Sequence, residues 1–66
     1  MPLLLKSKRV LKNLSQKELA QILNISTTSY KDKELGYKQF RQNEIAKLID
    51  ILEIKDEEIK EIFFTL

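Results

Sequence analysis

Cysteine, histidine and tryptophan are all absent from this 66-residue chain. Without cysteine there is neither a disulfide framework nor a thiolate metal site, and a small domain held together without disulfides suits a reducing cytosol. Without histidine the commonest general acid–base group and metal ligand is missing, which removes most catalytic constellations and leaves no cofactor to expect. Glycine and proline occur once each, so there is no glycine-rich phosphate loop and no flexible linker. Long apolar runs are missing too. Met1-Pro2-Leu3-Leu4-Leu5 stops at Lys6, short of a signal sequence and of the roughly 20 residues of a membrane span. An enzyme is disfavoured: only carboxylates and lysines remain, and those of residues 56–61 read better as a solvated helix face.

What the chain does have is leucine, isoleucine and charge. A hydrophobic fraction of 42% is ample for a compact core and too high for a disordered chain. One domain over residues 1–66 is expected, and a core of that size supplies only a few kcal/mol of net stability, so packing must be efficient. The net charge of +2 conceals an uneven distribution. Residues 1–49 carry ten Lys and Arg against four Asp and Glu, a surplus of +6, whereas residues 50–66 carry two against six, a surplus of −4. A basic body with an acidic end suits a surface that faces phosphate and turns its back to solvent.

Local signals divide the chain into short helices joined by tight corners. A first helix is expected over about residues 3–12, with Leu5 and Val10 inward and Lys6, Lys8 and Lys12 outward. Asn13 ends it, because asparagine tolerates the left-handed conformation that a helix C-terminus commonly adopts. Ser15-Gln16-Lys17-Glu18 is a capping box, in which the Ser15 hydroxyl accepts the Glu18 amide while Glu18 reaches back; Leu14 and Leu19 flank it as a hydrophobic staple. This second helix runs through Ala20 and Leu23 and stops at Asn24. Ser26 caps a third helix two residues later, with Ile25 and Tyr30 as its staple, and Gly36 ends that helix. A break of only Asn24 and Ile25 cannot fold two helices back antiparallel, so it leaves them crossed at a large angle, with the small Ala20 at the contact. Residues 37–41 read as a polar loop anchored by Phe40. A fourth helix is expected over about residues 42–52, with Ile45, Leu48, Ile49 and Leu52 as its apolar stripe, and a last one over residues 56–63, with Ile59, Ile62 and Phe63 inward and Asp56, Glu57 and Glu58 at its positive N-terminus.

The stretch KSKRVLKNLSQKELAQILNISTTSYKDKELG, residues 6–36, resembles the Cro/repressor (XRE-type) family of helix-turn-helix regulators, and the later helices fit the family's five-helix domain. The matching positions are Arg9, Leu14, Ser15, Gln16, Glu18, Leu19, Ala20, Leu23, Ser26, Glu34 and Gly36. The resemblance implies an all-α, lambda-repressor-like fold with its helix-turn-helix at helices 2 and 3, and a transcriptional regulator, of phage or prophage repressor type, acting in the bacterial cytosol or nucleoid. It implies that helix 3, residues 27–35, lies in the major groove of double-stranded DNA. Thr27, Thr28, Lys31 and Asp32 are then the candidates for base contact, since threonine can bond base edges or lay its methyl on thymine, and aspartate can accept from cytosine N4. Ser15, Gln16, Lys17, Ser29, Lys38, Gln39, Arg41, Gln42 and Asn43 are the candidates for phosphate contact, with the helix N-termini at residues 15–17 and 42–44 offering amide donors. Arg9 and Glu34 resemble a family ion pair joining the first helix to the end of the third. Two departures stand out. Asn13 and Asn24 replace the usual glycines, and Lys33 stands where the family often has an apolar or aromatic residue, so its side chain must snorkel or face DNA.

The apolar end of the chain supports a second class of function. Ile59, Ile62, Phe63, Phe64 and Leu66 would form either ordinary core closure or a homodimer contact, the latter matching a pseudo-palindromic operator. The alternative to a DNA regulator is a helical protein-interaction module, antitoxin-like or anti-repressor. No small-molecule ligand is expected, so control would come from abundance, promoter competition or a protein partner.

Overall fold

The computed structural model describes residues 2–64, with side-chain surroundings from Leu4 onward. Five helices follow one another: α1 (Pro2–Leu11), α2 (Gln16–Leu23), α3 (Thr27–Leu35), α4 (Gln42–Ile51) and α5 (Asp56–Phe63). Among the described residues there is no strand. α1 begins one residue earlier than its pattern suggests, at the only proline, whose missing N–H falls where a helix has no acceptor for it anyway. The start of α2 is the expected capping box: Ser15 Oγ accepts the Glu18 amide at 2.9 Å and Glu18 Oε1 accepts the Ser15 amide at 2.8 Å. Ser26 Oγ accepts the Ser29 amide at 3.0 Å and caps the start of α3 from one side.

The first four helices all end with one device. At each end a residue in the left-handed region gives its N–H three residues back, and the next residue gives its N–H five residues back. The left-handed residues are Asn13 (φ 60°), Asn24 (φ 60°), Gly36 (φ 90°) and Glu53 (φ 52°). The longer bonds run from Leu14 to Arg9 at 3.2 Å, Ile25 to Ala20 at 2.9 Å, Tyr37 to Asp32 at 2.8 Å and Ile54 to Ile49 at 3.0 Å. Leu14, Ile25 and Ile54 then tuck into or against the core. One residue thus closes a helix and anchors the entry to the next.

Glu53 is the one left-handed position that composition does not announce. A side chain there costs roughly 1 kcal/mol or more relative to glycine, partly offset by the extra freedom glycine gives the unfolded chain. Its ion pair with Lys12 is exposed and contributes little. Glu53→Gly is therefore expected to stabilise the chain by about 0.5 kcal/mol, read as a higher urea midpoint. A lower midpoint would show that the pair with Lys12 outweighs the backbone cost.

Leu5, Leu19, Ala20, Leu23, Tyr30, Leu48, Leu52 and Ile54 form the core. α2 packs most extensively on α3, with Ala20 buried at the crossing, and α1 packs on α3 and α5. Val10 does not join them: it is 56% exposed. The inward row of α1 is Leu5 and Arg9, four residues apart, and Val10 lies about 100° further round the helix. A charged residue holds the inward slot because Glu34 meets it there. Lys8, expected to point outward, is instead half-buried and bonds Glu58 at 2.8 Å. The acidic end of the chain is thus drawn partly onto α1 by Lys8 and Lys12 rather than left wholly to solvent.

Candidate nucleic-acid interface

α3 presents two contrasting sides. Tyr30 and Glu34, four residues apart, are buried. On the opposite side Thr28, Lys31 and Leu35 are exposed and Asp32 is half-buried. Successive residues turn by about 100°, so Thr28, Asp32 and Leu35 share one stripe, with Lys31 and Ser29 on its flanks. Thr27 is half-buried at the first turn, beside the inward side. Leu35, 56% exposed, belongs to this stripe although the sequence pattern alone does not name it; its spacing of seven from Thr28 is the signal that marks it.

The inner side of α3 is fixed by Glu34. Its Oε2 accepts from Arg9 Nε at 2.9 Å and from the Tyr30 hydroxyl at 2.8 Å, and its Oε1 accepts from Gln16 Nε2 at 3.0 Å and Arg9 Nη2 at 3.4 Å. Arg9 Nη1 donates in addition to the Leu14 carbonyl at 2.9 Å. One carboxylate therefore joins α1, the start of α2 and the end of α3. Burial alone would raise the Glu34 pKa, but the hydrogen bonds from Arg9, Tyr30 and Gln16 outweigh it and hold the carboxyl below the usual glutamate value. Burial, reinforced by the bond to Glu34, pushes the Tyr30 hydroxyl up.

This network changes what Gln16 offers. Its side-chain amide donates inward to Glu34, while the first-turn amides of Gln16 and Lys17 have no intrahelical acceptor. Ser15 and Lys17 are exposed beside it.

Lys33 neither faces outward nor snorkels. It bonds both oxygens of Glu44, at 2.7 and 3.0 Å, and Glu44 Oε1 also accepts the Arg41 amide at 2.8 Å. The Glu44 carboxylate thus turns away from the surface at the start of α4. Burial would raise its pKa, yet Lys33 and the Arg41 amide keep it below the usual value. At the exposed Glu18 the Ser15 amide and hydroxyl lower the pKa, and at the half-buried Glu58 Lys8 followed by the Lys55 amide does so.

Lys38, Gln39, Arg41, Gln42 and Asn43 are exposed along the segment between α3 and α4 and on the first turn of α4. Lys38 turns back towards α3: its amide donates to the Asp32 carbonyl at 3.3 Å and its Nζ lies 3.7 Å from Asp32 Oδ2. A candidate base-contacting carboxylate and a candidate phosphate-contacting cation are therefore neighbours, which reduces the repulsion that Asp32 alone would offer a phosphate.

From the buried side of α3 a chain of rings runs from Tyr30 to Phe40 (6.0 Å between centroids), on to Phe63 (5.8 Å) and to Phe64 (6.5 Å). Ile59, Ile62 and Phe63 pack against the core, and Phe64 is 59% exposed. Leu66 lies outside the described residues. Phe63 of the C-terminal helix thus meets Phe40, which meets Tyr30 on the buried side of α3, while Thr28, Lys31 and Leu35 are exposed.

Among the described residues no group of acidic side chains could hold a metal ion, and no helix is long and apolar enough to cross a membrane. No curated protein and no solved structure matches the chain. A helix-turn-helix family model matches residues 5–59, a span that takes in the capping box, the corner at Asn24 and the whole of α3 and α4. On that match and on this five-helix architecture, the chain belongs to the Cro/repressor-type helix-turn-helix family of DNA-binding regulators.

Proposed function

We propose that the protein is a sequence-specific transcriptional regulator, a repressor of the phage or prophage type acting in the bacterial cytosol, that places α3 in the major groove of its operator. The observation that carries this reading is the open stripe of α3, whose opposite side is locked by the Glu34 network. Thr27, Thr28, Lys31 and Asp32 meet base edges, and Leu35 extends the stripe with methyl groups suited to a thymine methyl. Ser15, Gln16, Lys17 and Ser29 hold one stretch of phosphates, Ser15 through its hydroxyl and Gln16 through its backbone amide, and Lys38, Gln39, Arg41, Gln42 and Asn43 hold another.

Two copies joined through α5 would set their α3 helices into successive major grooves, about 34 Å apart, on a pseudo-palindromic site. Phe64, exposed at the end of the ring chain, supports that contact. The same exposed ring is what favours the competing reading, a module whose main partner is another protein.

Selection of bound sequences from random duplexes, followed by a salt titration on the winner, separates these possibilities. An enriched inverted repeat with a steep fall of log K against log salt is expected, because each neutralised phosphate adds about 0.9 to the slope. Enrichment of a single half-site would remove the dimer, and no enrichment with a flat salt response would leave the interaction module.

A further inference from the structure

Lys33 sits in α3 and Glu44 in α4, and their side chains are 8% and 3% exposed. The close backbone packing of α3 is against α2 and α1. Across to α4, beside the core shared by Tyr30 and Leu48, runs this side-chain bridge, with both carboxylate oxygens engaged by one ammonium. The same carboxylate accepts the Arg41 amide and so also fixes where α4 begins. Between the two anchors, residues 36–41 form no regular element; their near end is held by the Tyr37 and Lys38 amides on the Asp32 carbonyl.

We propose that Lys33 and Glu44 act as a positioning clamp, setting the base-facing helix α3 and the phosphate-facing first turn of α4 in a fixed register. This rests on the reading of α3 as the DNA-facing helix. A buried ion pair adds little net stability over an apolar pair of similar size, but its directional bonds specify one arrangement. An apolar pair would fill the same space without holding the Arg41 amide or the direction of α3. The clamp touches no DNA itself; it acts through Arg41, Gln42 and Asn43 on one side and through the Thr28 stripe on the other.

The test uses the 66-residue chain, the duplex recovered by random selection, and three variants. Lys33→Met removes the ammonium and frees the Glu44 carboxylate to turn towards water, away from Arg41. Hydrogen exchange at the Arg41 amide in the free protein is expected to accelerate about 10-fold, affinity for the duplex to fall about 10-fold, and the salt slope to become shallower by about 1 as a phosphate contact is lost. Lys33→Arg, which keeps the charge and can bond both oxygens, is expected to restore all three. Should Lys33→Met fail to fold, Lys33→Met with Glu44→Gln leaves no buried charge and retains an acceptor for Arg41; it is expected to melt no lower than the parent and still to bind about 10-fold more weakly. A purely structural pair would shift the melting temperature and nothing else, so parental affinity and slope in a folded variant overturn the clamp. If the parent chain binds no duplex, the DNA reading fails on its own, and parental exchange at Arg41 in Lys33→Met then overturns the clamp as well.

Discussion

Glu34→Ala is expected to leave the chain largely unfolded at ambient temperature. The substitution removes the acceptor shared by Arg9, Gln16 and Tyr30 and strands a buried guanidinium and a buried hydroxyl. Breaking a buried pair from one side costs roughly 3 to 5 kcal/mol, and a core of this size holds only a few kcal/mol in reserve. A far-UV circular dichroism melt decides it: a curve like that of the parent would remove Glu34 from its structural role. Loss of DNA binding in this variant would follow from loss of fold and says nothing about contact.

The same carboxyl makes the fold sensitive to acid. Glu34 and Glu44 are both held below the usual glutamate value of 4.5. Their contribution is fully present above that value and is lost as the pH falls through their lower folded-state values, because the unfolded chain takes up protons there before the native carboxylates do and acid therefore favours unfolding. The urea midpoint is expected to be flat from neutrality to about pH 5 and to decline below it. Glu44→Gln should flatten part of that decline.

Thr28→Asp is expected to separate folding from recognition by moving them in opposite directions. Thr28 is the second residue of α3 and is exposed. A carboxylate there meets the positive end of the helix and should add about 0.3 to 1 kcal/mol of stability. In the groove the same carboxylate loses the threonine's contacts and stands among phosphates, so affinity for the selected duplex is expected to drop about 100-fold. Fluorescence anisotropy beside a melting curve reads both quantities. A variant that melts higher and binds as tightly as the parent would move the Thr28 stripe off the DNA. Thr28→Ala should cost less and relax preference at one base position rather than weaken binding to every sequence.

The helices could be read in advance because their signals lie within four residues of one another. Ser15 and Glu18 cap each other across one turn, Ser26 caps three residues ahead, and Asn13, Asn24 and Gly36 carry the conformation that ends a helix. None of this needs knowledge of what packs where. The outward stripe of α3 follows in part, since the spacing of Thr28 and Asp32 places them together, but an apolar residue near a helix end, as Leu35 is, reads first as core. Val10 misleads for a related reason. An apolar residue is by rule the better candidate for the inward row, and only the presence of Glu34 across the interface gives that row to Arg9.

Local order along the chain therefore determined the five helices, their corners and the family to which they belong. The Arg9–Glu34 pair apart, tertiary structure alone decided the polar partners: that Lys33 turns inward to Glu44, that Gln16 spends its amide on Glu34, that Lys38 reaches Asp32, and that Glu58 comes down on Lys8. The physical reason is that a cap or a turn depends on neighbours fixed by covalent geometry. An ion pair depends on where a remote helix brings an opposite charge, and many lysines and glutamates in one short chain could have met.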